Sequence, residues 1–493
     1  MTYTRLARAR WLAARLLWLA SGAALAQSAP LPSPSDDALA ESQTAVPISA
    51  PAQSEASAAA SAPTETQTPA PTPAQTERQT PAPVSAQAES VWTAERPSLL
   101  QIRTLLEAAG SQSSIGSGFL VSADGLAITN YHVVSNYALE PGTYRLEFAR
   151  PDGTRGALKL LAIDIANDLA VVKLDGAGLA HLEFDPQAVA GHLPRGDRVY
   201  SLGNPLDLGF AIVEGNYNGL VEHSYTERMH FTGAINSGMS GGPAVTSVGK
   251  VVGVNVAKRL DGEQVSFLVP AAKAAALLER ARHSAPLTLT QTRAEIGRQL
   301  LAWQNDFYRA LNAWGLRATR FGHYQAPQSV APWLNCWAST NAEQRPRPRA
   351  LTDGLRCESP DSLFIASDLD SGRIQLLHTH VRNVDLNAFQ FAAALSRIYA
   401  PTPARSSRKR MTRNQCHDEF VAPAEATAAP LLRAVWCARA YRDFADLYDM
   451  ELTTVTQDRD KEALVSFIFM RGVSYDNGLA LARRFMESIT WTK

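Results

Sequence analysis

Short hydrophobic runs, separated by glycine, proline, asparagine and aspartate, occupy residues 99–283 of this chain. Regular short runs bounded by turn formers are typical of an all-β domain. The runs that we interpret as strands are 118–121, 126–129, 144–148, 158–163, 170–174, 199–202, 251–256 and 265–269. A helical pattern at 271–282 follows Pro270 and is expected to end this domain with its apolar side against the strands.

A different period begins after residue 284. Apolar residues recur there at steps of three and four, which predicts one amphipathic helix within 287–315. Its stripe consists of Ile296, Leu300, Trp303, Phe307, Leu311 and Trp314. Thr292 and Glu295 are predicted to form a capping box at its start, and Gly315 to end it. A stripe at this spacing is more typical of a core than of a ligand-binding face.

The N-terminal residues have the composition of an export signal followed by a spacer. Residues 1–26 combine early arginines, a short apolar core and Ala24-Leu25-Ala26, which predicts a signal peptide cleaved after Ala26. The apolar core is shorter than the roughly 20 residues that span a bilayer, so a membrane anchor is the weaker alternative. Residues 27–91, rich in Ala, Pro, Ser and Thr, predict a disordered linker. We therefore expect a periplasmic or secreted protein without a membrane span after cleavage.

Charge narrows the choice of partners. The chain has 47 Lys and Arg against 47 Asp and Glu, a formal net charge of zero. No general attraction to nucleic acid or to an anionic membrane is expected from that balance.

A serine between glycines gives the first sign of chemistry. Ser240 lies in Gly238-Met239-Ser240-Gly241-Gly242, a turn in which the backbone N–H groups of Gly238 and Ser240 are positioned to stabilise an oxyanion. A hydroxyl nucleophile needs an imidazole to take its proton and a carboxylate to orient that imidazole. His132, after an apolar run, and Asp168, before one, are the candidates.

The order of these residues separates two enzyme architectures. An α/β-hydrolase places its serine first, between a strand and a helix, with the acid and the histidine downstream. Here the order is His132, Asp168, Ser240, and strand-like residues follow Pro243. The chymotrypsin-like order is therefore favoured.

Together these motifs resemble HtrA/Deg-type trypsin-like serine proteases, over residues 99–283 only. The matching segments are Gly116-Ser117-Gly118-Phe119, His132-Val133-Val134, Asp168-Leu169-Ala170-Val171, Gly203-Asn204-Pro205, Thr232-Gly233-Ala234-Ile235-Asn236, Gly238-Met239-Ser240-Gly241-Gly242 and Val265-Ser266-Phe267-Leu268-Val269-Pro270. The resemblance implies a double β-barrel with the triad in the cleft between two six-stranded barrels. It also implies a serine endopeptidase that needs no metal or cofactor and acts on polypeptides.

The resemblance further implies a substrate pocket with Ala234 at its base and Val254 and Asn255 in its wall. Without a charge at the base, we expect cleavage after small or medium aliphatic residues. Met239 departs from the family, which usually has Asn there. No PDZ domain is recognised after residue 283, so the oligomeric state is not predicted.

The C-terminal residues 330–493 contain all four cysteines. Cys336 and Cys357 are separated by the same interval as Cys416 and Cys437, and a helical pattern follows each pair, at 386–398 and 479–489. In an exported chain this predicts a duplicated α+β module, and we favour the pairs Cys336–Cys357 and Cys416–Cys437 among three possible connectivities. A zinc site using His378, His380 or His417 is the weaker alternative.

A basic run separates the two cysteine pairs. Arg405, Arg408, Lys409, Arg410 and Arg413 form this run, and we interpret it as a solvated loop rather than a docking site for an acidic partner.

These patterns predict an exported serine endopeptidase acting on unfolded or damaged envelope proteins. Two alternatives remain open: a protease-fold binding or scaffold protein, and a narrow regulatory protease whose C-terminal module selects one partner.

Overall fold

The structure is a computed structural model that describes residues 85–258, 265–399, 409–421, 429–457, 459 and 461–492. The predicted signal peptide, most of the predicted linker, Arg405 and Arg408 lie outside the described residues. Among the described residues, no helix combines the length and the apolar character needed to cross a membrane.

A seven-stranded antiparallel sheet begins the protease-like segment. Its strands are β1 (Leu99–Leu106), β2 (Gln112–Leu120), β3 (Leu126–Thr129), β4 (Tyr144–Ala149), β5 (Arg155–Ala157), β6 (Lys159–Asp164) and β7 (Leu169–Lys173). They are ordered β5-β4-β1-β2-β3-β7-β6. Two helices accompany it, α1 (Ala86–Glu95) before β1 and α2 (Tyr131–Leu139) after β3. We call this sheet with α2 the base half, since it contains His132 and Asp168.

The second unit is a closed six-stranded barrel. Its strands are β8 (Arg198–Gly203), β9 (Ala211–Leu220), β10 (Met229–Thr232), β11 (Pro243–Val245), β12 (Val251–Lys258) and β13 (Ser266–Pro270), ordered β10-β13-β12-β11-β8-β9. A short helix, α3 (Pro186–Val189), precedes it, and α4 (Ala271–Ala281) follows it with Leu277 and Leu278 buried. We call this barrel, which contains Ser240, the nucleophile half. The predicted trypsin-like fold is thus present as barrel-like sheets, although the first sheet has seven strands instead of six.

Helix α5 (Leu289–Trp314) connects the protease-like segment to the C-terminal region. Its N-cap is Thr288, whose side chain accepts from the Gln291 N–H while Gln291 bonds back to the Thr288 backbone. The predicted capping box of Thr292 and Glu295 is therefore wrong by one helical turn, and Thr292 is buried instead. Gly315, with φ of 78°, ends the helix as predicted.

The C-terminal region is built mainly on one seven-stranded sheet and also contains a three-stranded and a two-stranded sheet. Its elements are β14 (Leu316–Phe321), β15 (Tyr324–Ser329), β16 (Asn335–Thr340), β17 (Ala350–Glu358), β18 (Leu363–Ala366), β19 (Leu369–Ser371), β20 (Arg373–Asn383), α6 (Ala388–Tyr399), β21 (Gln415–Val421), β22 (Leu432–Ala440), β23 (Tyr448–Thr456), β24 (Glu462–Val473), α7 (Tyr475–Glu487) and β25 (Thr490–Trp491). Seven strands form the sheet β16-β17-β20-β24-β23-β22-β21, and β18 pairs with β19 as a separate hairpin.

Both predicted disulfides are confirmed. Cys336 is bonded to Cys357 and Cys416 to Cys437, each across an outer pair of strands, β16–β17 and β21–β22. The two pairs therefore lie at opposite edges of one sheet. The second half of this sheet has one strand more than the first, because the hairpin β18–β19 stands outside it.

The base half shares its hydrophobic core with the C-terminal region. Tyr131, Ala138 and Leu139 of α2 belong to one buried cluster with Leu363, Ile365 and Leu369 of the hairpin and with Ile296 and Leu300 of α5. The nucleophile half has a core cluster made of its own residues and α3–α4 neighbours, including Phe231, Met239 and Leu268. Burial of apolar surface is the main stabilising term, so the C-terminal region stabilises the base half directly.

Candidate functional site

His132 and Asp168 form a tight pair at the N-terminus of α2. The Asp168 carboxylate accepts the His132 backbone N–H at 2.9 Å and lies 2.6 Å from His132 Nδ1. Its backbone carbonyl accepts from the Asn130 side chain at 2.8 Å and from the Tyr131 N–H at 3.2 Å. A carboxylate at a helix N-terminus is also favoured by the helix dipole. Asp168 therefore holds both the imidazole and the helix that carries it.

The backbone at Asp168 is itself unusual. Its φ of 58° lies in the left-handed region, where residues other than glycine are uncommon. Such conformations persist where the surroundings enforce them, and they concentrate at functional sites. The hydrogen bonds of the Asp168 side chain and backbone supply that enforcement.

The Asp168 contact also selects the form of the imidazole. An Nδ1 that donates to a carboxylate leaves the lone pair of Nε2 free to accept a proton. Burial lowers the pKa of His132, but the negative charge of Asp168 and its hydrogen bond outweigh burial, so the pKa is raised above 6.5. With its side chain 30 % exposed, His132 remains accessible from solvent.

Two left-handed glycines form the turn around Ser240. At Gly238, with φ of 93°, a Cβ would lie 2.3 Å from the Asn204 carbonyl oxygen, and at Gly241, with φ of 86°, 2.3 Å from that of Ser117. Neither position has room for a side chain. The Ser117 hydroxyl also donates to the Gly238 carbonyl at 2.7 Å, which fixes that peptide plane.

Asn255 holds the other side of this turn. Its side-chain amide donates to the Met239 carbonyl at 3.2 Å and to the Leu202 carbonyl at 2.9 Å, while its own carbonyl accepts the Gly241 N–H at 2.8 Å. These bonds connect the turn to strand β12. Asn255 thus supports Ser240 through its side chain, a role that the sequence did not indicate.

The Ser240 turn leaves two donors unused. In the described part of the chain, the backbone N–H groups of Gly238 and Ser240 make no hydrogen bond. Free N–H groups beside a nucleophile are what an oxyanion hole requires.

The hydroxyl of Ser240 has a partner other than His132. Ser240 Oγ donates to the Val256 carbonyl at 3.3 Å, and within the described ranges no hydrogen bond joins it to His132. The two segments nevertheless approach across β2, since a Cβ at Gly116 would lie 2.4 Å from Val133 and 3.0 Å from the Ser240 carbonyl oxygen. Catalytic hydrogen bonds are often long or misaligned without substrate and tighten in the complex.

The predicted pocket residues lie in different environments. Ala234 is exposed beside the turn, whereas Val254 and Asn255 are fully buried. Val254 packs in a hydrophobic cluster and Asn255 is used by the Ser240 turn. The side chains of Val254 and Asn255 therefore do not face a substrate in this structure.

Met239, where the family usually has Asn, is explained by packing. Its side chain is fully buried in the core of the nucleophile half, together with Ile235 and Ala244. An apolar residue fits this position because only its backbone faces the turn.

The histidines of the C-terminal region have structural partners. Buried His378 lies 2.8 Å from both the Ser466 hydroxyl and the Pro327 carbonyl, and burial lowers its pKa to about 4. His380 lies 3.1 Å from Glu462, and His417 is exposed beside Glu419. Across the described ranges, no group of three or more His, Cys, Asp or Glu side chains is arranged to hold a metal ion.

The basic run contains a buried ion-pair residue. Arg410 is 7 % exposed and bonds to Asp368 at 2.9 Å and to Glu140 of the base half at 3.0 Å. Lys409 also pairs with Glu140, at 2.6 Å. The expectation of a solvated loop is therefore wrong at Arg410, which is buried, whereas the Lys409 side chain is 64% exposed.

Comparison with known proteins finds that part of this chain is similar to peptidases. Residues 116–254 match the family model described as "Trypsin-like peptidase domain". Among curated relatives, the "Putative serine protease HhoB" of Synechocystis is 33% identical, over 32% of this chain and 38% of that protein. A "Probable periplasmic serine endoprotease DegP-like" of Chlamydia pneumoniae is 34% identical, over 29% and 28%. "Serine protease HTRA1" of Xenopus laevis is 32% identical, over 32% and 34%. The matched segment spans less than half the length of each of these relatives.

Proposed function

We propose that this chain, which carries a trypsin-like peptidase domain of HtrA type, is a serine endopeptidase that forms an acyl-enzyme at Ser240. The observation that carries the proposal is the doubly hydrogen-bonded pair of His132 and Asp168, at 2.9 and 2.6 Å. The two unused N–H donors of the Ser240 turn support it. The similarity to proteases favours this activity over a binding or scaffold role.

The first half of the reaction acylates the enzyme. Ser240 Oγ leaves the Val256 carbonyl, turns toward His132 Nε2, and gives up its proton as it attacks the substrate carbonyl carbon. The N–H groups of Gly238 and Ser240 hold the oxyanion of the tetrahedral intermediate. His132 then donates the proton to the leaving amine, the C–N bond breaks, and an ester with Ser240 remains.

The second half releases the product. Water gives a proton to His132 and attacks the ester, and the carbonyl oxygen again becomes an oxyanion at the same donors. As the intermediate collapses, His132 returns its proton to Ser240 and the carboxylic acid leaves. Asp168 remains charged throughout and stabilises the imidazolium that forms twice per cycle.

Substrates and location follow from the surroundings of the site and from the relatives. The exposed Ala234 has no charge, so a small or medium aliphatic side chain is the proposed residue at the cleaved bond. The N-terminal pattern and the periplasmic description of the Chlamydia pneumoniae relative support export. Unfolded or damaged envelope proteins are the proposed substrates in a periplasmic or secreted setting.

Cleavage of unfolded casein by the full, oxidised chain tests this function. We expect peptides that end after aliphatic residues, and we expect Ser240→Ala to abolish them. Ser237→Ala is the matched control, because Ser237 is an exposed serine of the same turn. Casein left intact by the unmodified chain, or cut equally by Ser240→Ala, would refute the proposal.

A further inference from the structure

The hairpin β18–β19 of the C-terminal region is fixed against the helix that carries His132. The Tyr131 hydroxyl donates to the Ile365 carbonyl at 3.0 Å in a buried contact. Leu363 and Ile365 are buried in the core shared with the base half. Tyr441 Oη donates to the Asp370 carbonyl at 3.0 Å and so holds the other strand. A hairpin anchored on both strands presents its remaining side chains in fixed positions.

Phe364 is the residue of this hairpin that approaches His132. Its side chain is packed against the core shared with the base half, with its ring edge-on to that of Tyr131 at 6.4 Å between ring centroids. It is half-buried, whereas its two neighbours are buried. Its ring lies edge-on to the His132 imidazole, with ring centroids 6.0 Å apart and planes at 75°. An exposed part of an aromatic ring therefore borders the proposed general base.

The segment just before Phe364 is hydrogen-bonded to the nucleophile half. Asp361, three residues earlier, accepts the Ser224 hydroxyl at 2.5 Å and so connects the segment to the nucleophile half. The segment from Asp361 to Phe364 thus lies near both halves that contribute to the triad.

We propose that Phe364 forms the wall of a substrate subsite beside His132, which takes an apolar side chain flanking the scissile bond. This inference rests on the proposed protease function and deepens it. The general base must lie within hydrogen-bond reach of the reacting atoms, so a group that borders the imidazole also borders the residues next to the cleaved bond. An aromatic ring offers those residues a large apolar surface and no charge. The C-terminal region thereby takes part in substrate selection.

Paired peptides test the subsite. A casein-derived peptide library, digested by the full chain and read by mass spectrometry, identifies the flanking position with an apolar preference. Two peptides that differ only there, Leu against Ala, then give a ratio of kcat/KM values. All rates are normalised to the fraction of Ser240 that reacts with a fluorophosphonate, so that only active molecules are counted.

Phe364→Ala is expected to lower the Leu-to-Ala ratio about tenfold, since a lost apolar contact in a specificity pocket has effects of that order. Phe364→Leu, which keeps an apolar wall and most of the volume, is expected to retain most of the ratio and guards against a folding defect. Phe389→Ala is the matched control, because Phe389 is 90 % exposed in the same region.

An unchanged ratio in Phe364→Ala would overturn the subsite while leaving the protease function standing. An equal loss of kcat/KM for both peptides would also overturn it, since Phe364 would then only position His132. A full chain whose Ser240 neither reacts with the fluorophosphonate nor cleaves casein would instead refute the proposed function, and the subsite with it.

Discussion

The two halves of the proposed triad are stabilised in different ways. The nucleophile half is a closed barrel with its own core, and Ser240 lies on a turn held by Ser117, Asn204 and Asn255. The base half is an open sheet whose core continues into the C-terminal region. A closed barrel has no edge to protect, although Tyr200, Val245 and Val254 of this one lie in a second buried cluster with Phe119 and Ile128 of the base half. The open sheet of the base half must in addition be covered by another element.

This difference gives the C-terminal region a structural role in the base half. The hairpin β18–β19 and helix α5 pack against the apolar face of the base half. The ion pair of Arg410 with Glu140 is a further contact between the two regions. We infer that the proposed active site is assembled from the whole described chain. The match to the trypsin-like peptidase family model covers residues 116–254, and the hairpin and helix α5 that pack with α2 lie beyond it.

The largest expected effect on the catalytic rate comes from removing the carboxylate that is paired with His132 in the base half. Asp168→Asn should lower kcat about 10,000-fold, because an amide does not fix the required tautomer or stabilise the imidazolium. Asp175→Asn is the control, since that carboxylate is 82% exposed. Steady-state cleavage of a peptide substrate measures the effect. A loss below about tenfold would remove Asp168 from the triad.

Cavity-forming substitutions, one in each core, should affect the two halves separately. Ile365→Ala, in the shared core, should destabilise the chain by about 3 kcal/mol, and so should Leu268→Ala in the core of the nucleophile half. Hydrogen exchange should quicken in α2 for Ile365→Ala and in β12–β13 for Leu268→Ala. The comparison fails if Ile365→Ala leaves exchange in Tyr131–Leu139 unchanged.

The buried Arg410 should contribute less to the free energy of unfolding than these two core residues. Arg410→Met should destabilise the chain by about 2 kcal/mol, because it leaves Asp368, Glu140 and Asp443 with one cation fewer, while these carboxylates remain partly exposed. Arg309→Met, which removes a 75% exposed partner of Asp306, should change stability by less than about 0.5 kcal/mol. Urea unfolding gives both values. Equal effects would show that Arg410 does not connect the two regions.

The smallest effect is a pH shift. The general base must be neutral, so activity falls as pH falls through the pKa of His132. Asp168 raises that pKa above 6.5 in spite of burial, so the acid limb of kcat/KM should lie above 6.5. A profile of kcat/KM from pH 5 to pH 9 locates the limb. A limb below 6.5 would mean that burial outweighs the carboxylate.

Much of the protease-like segment could be predicted, because its short apolar runs are local signals. The predicted run 126–129 coincides with β3, and the helical pattern 271–282 with α4. The strands β1, β5, β9 and β10 were not predicted. In β9 and β10, Ala211–Leu220 and Met229–Thr232, polar residues and glycines interrupt the apolar pattern.

Other differences arose where the local sequence allowed two solutions. Thr288 with Gln291 and Thr292 with Glu295 are both capping-box patterns, one turn apart, and packing of Thr292 selects the first. Helix α1 begins at Ala86, inside the predicted linker, and buries only Ala88 and Val91. So small an apolar face is hard to distinguish from linker composition.

The site was predictable in its residue types and not in its supports. The proposed triad of His132, Asp168 and Ser240 follows from spacing and motif. The contacts of Asn255 with the Ser240 turn and of Phe364 with His132 exist only in the folded chain. The equal intervals between cysteines did predict both disulfides. Each interval is local in the chain, since it separates two strands that are neighbours in sequence and in the sheet. The position of the disulfides at opposite edges of one sheet depends on strand order, which carries no local signal.

The most direct test of the central claim is the rate at which a fluorophosphonate reacts with Ser240, located by mass spectrometry. It is measured in the full chain, in Ser240→Ala and in a chain that ends at His283. The account predicts reaction at Ser240 in the full chain, none in Ser240→Ala, and a rate lower by about 100-fold in the shortened chain, as expected when a catalytic group is displaced. Equal rates in the full and shortened chains would contradict the dependence of the base half on the C-terminal region.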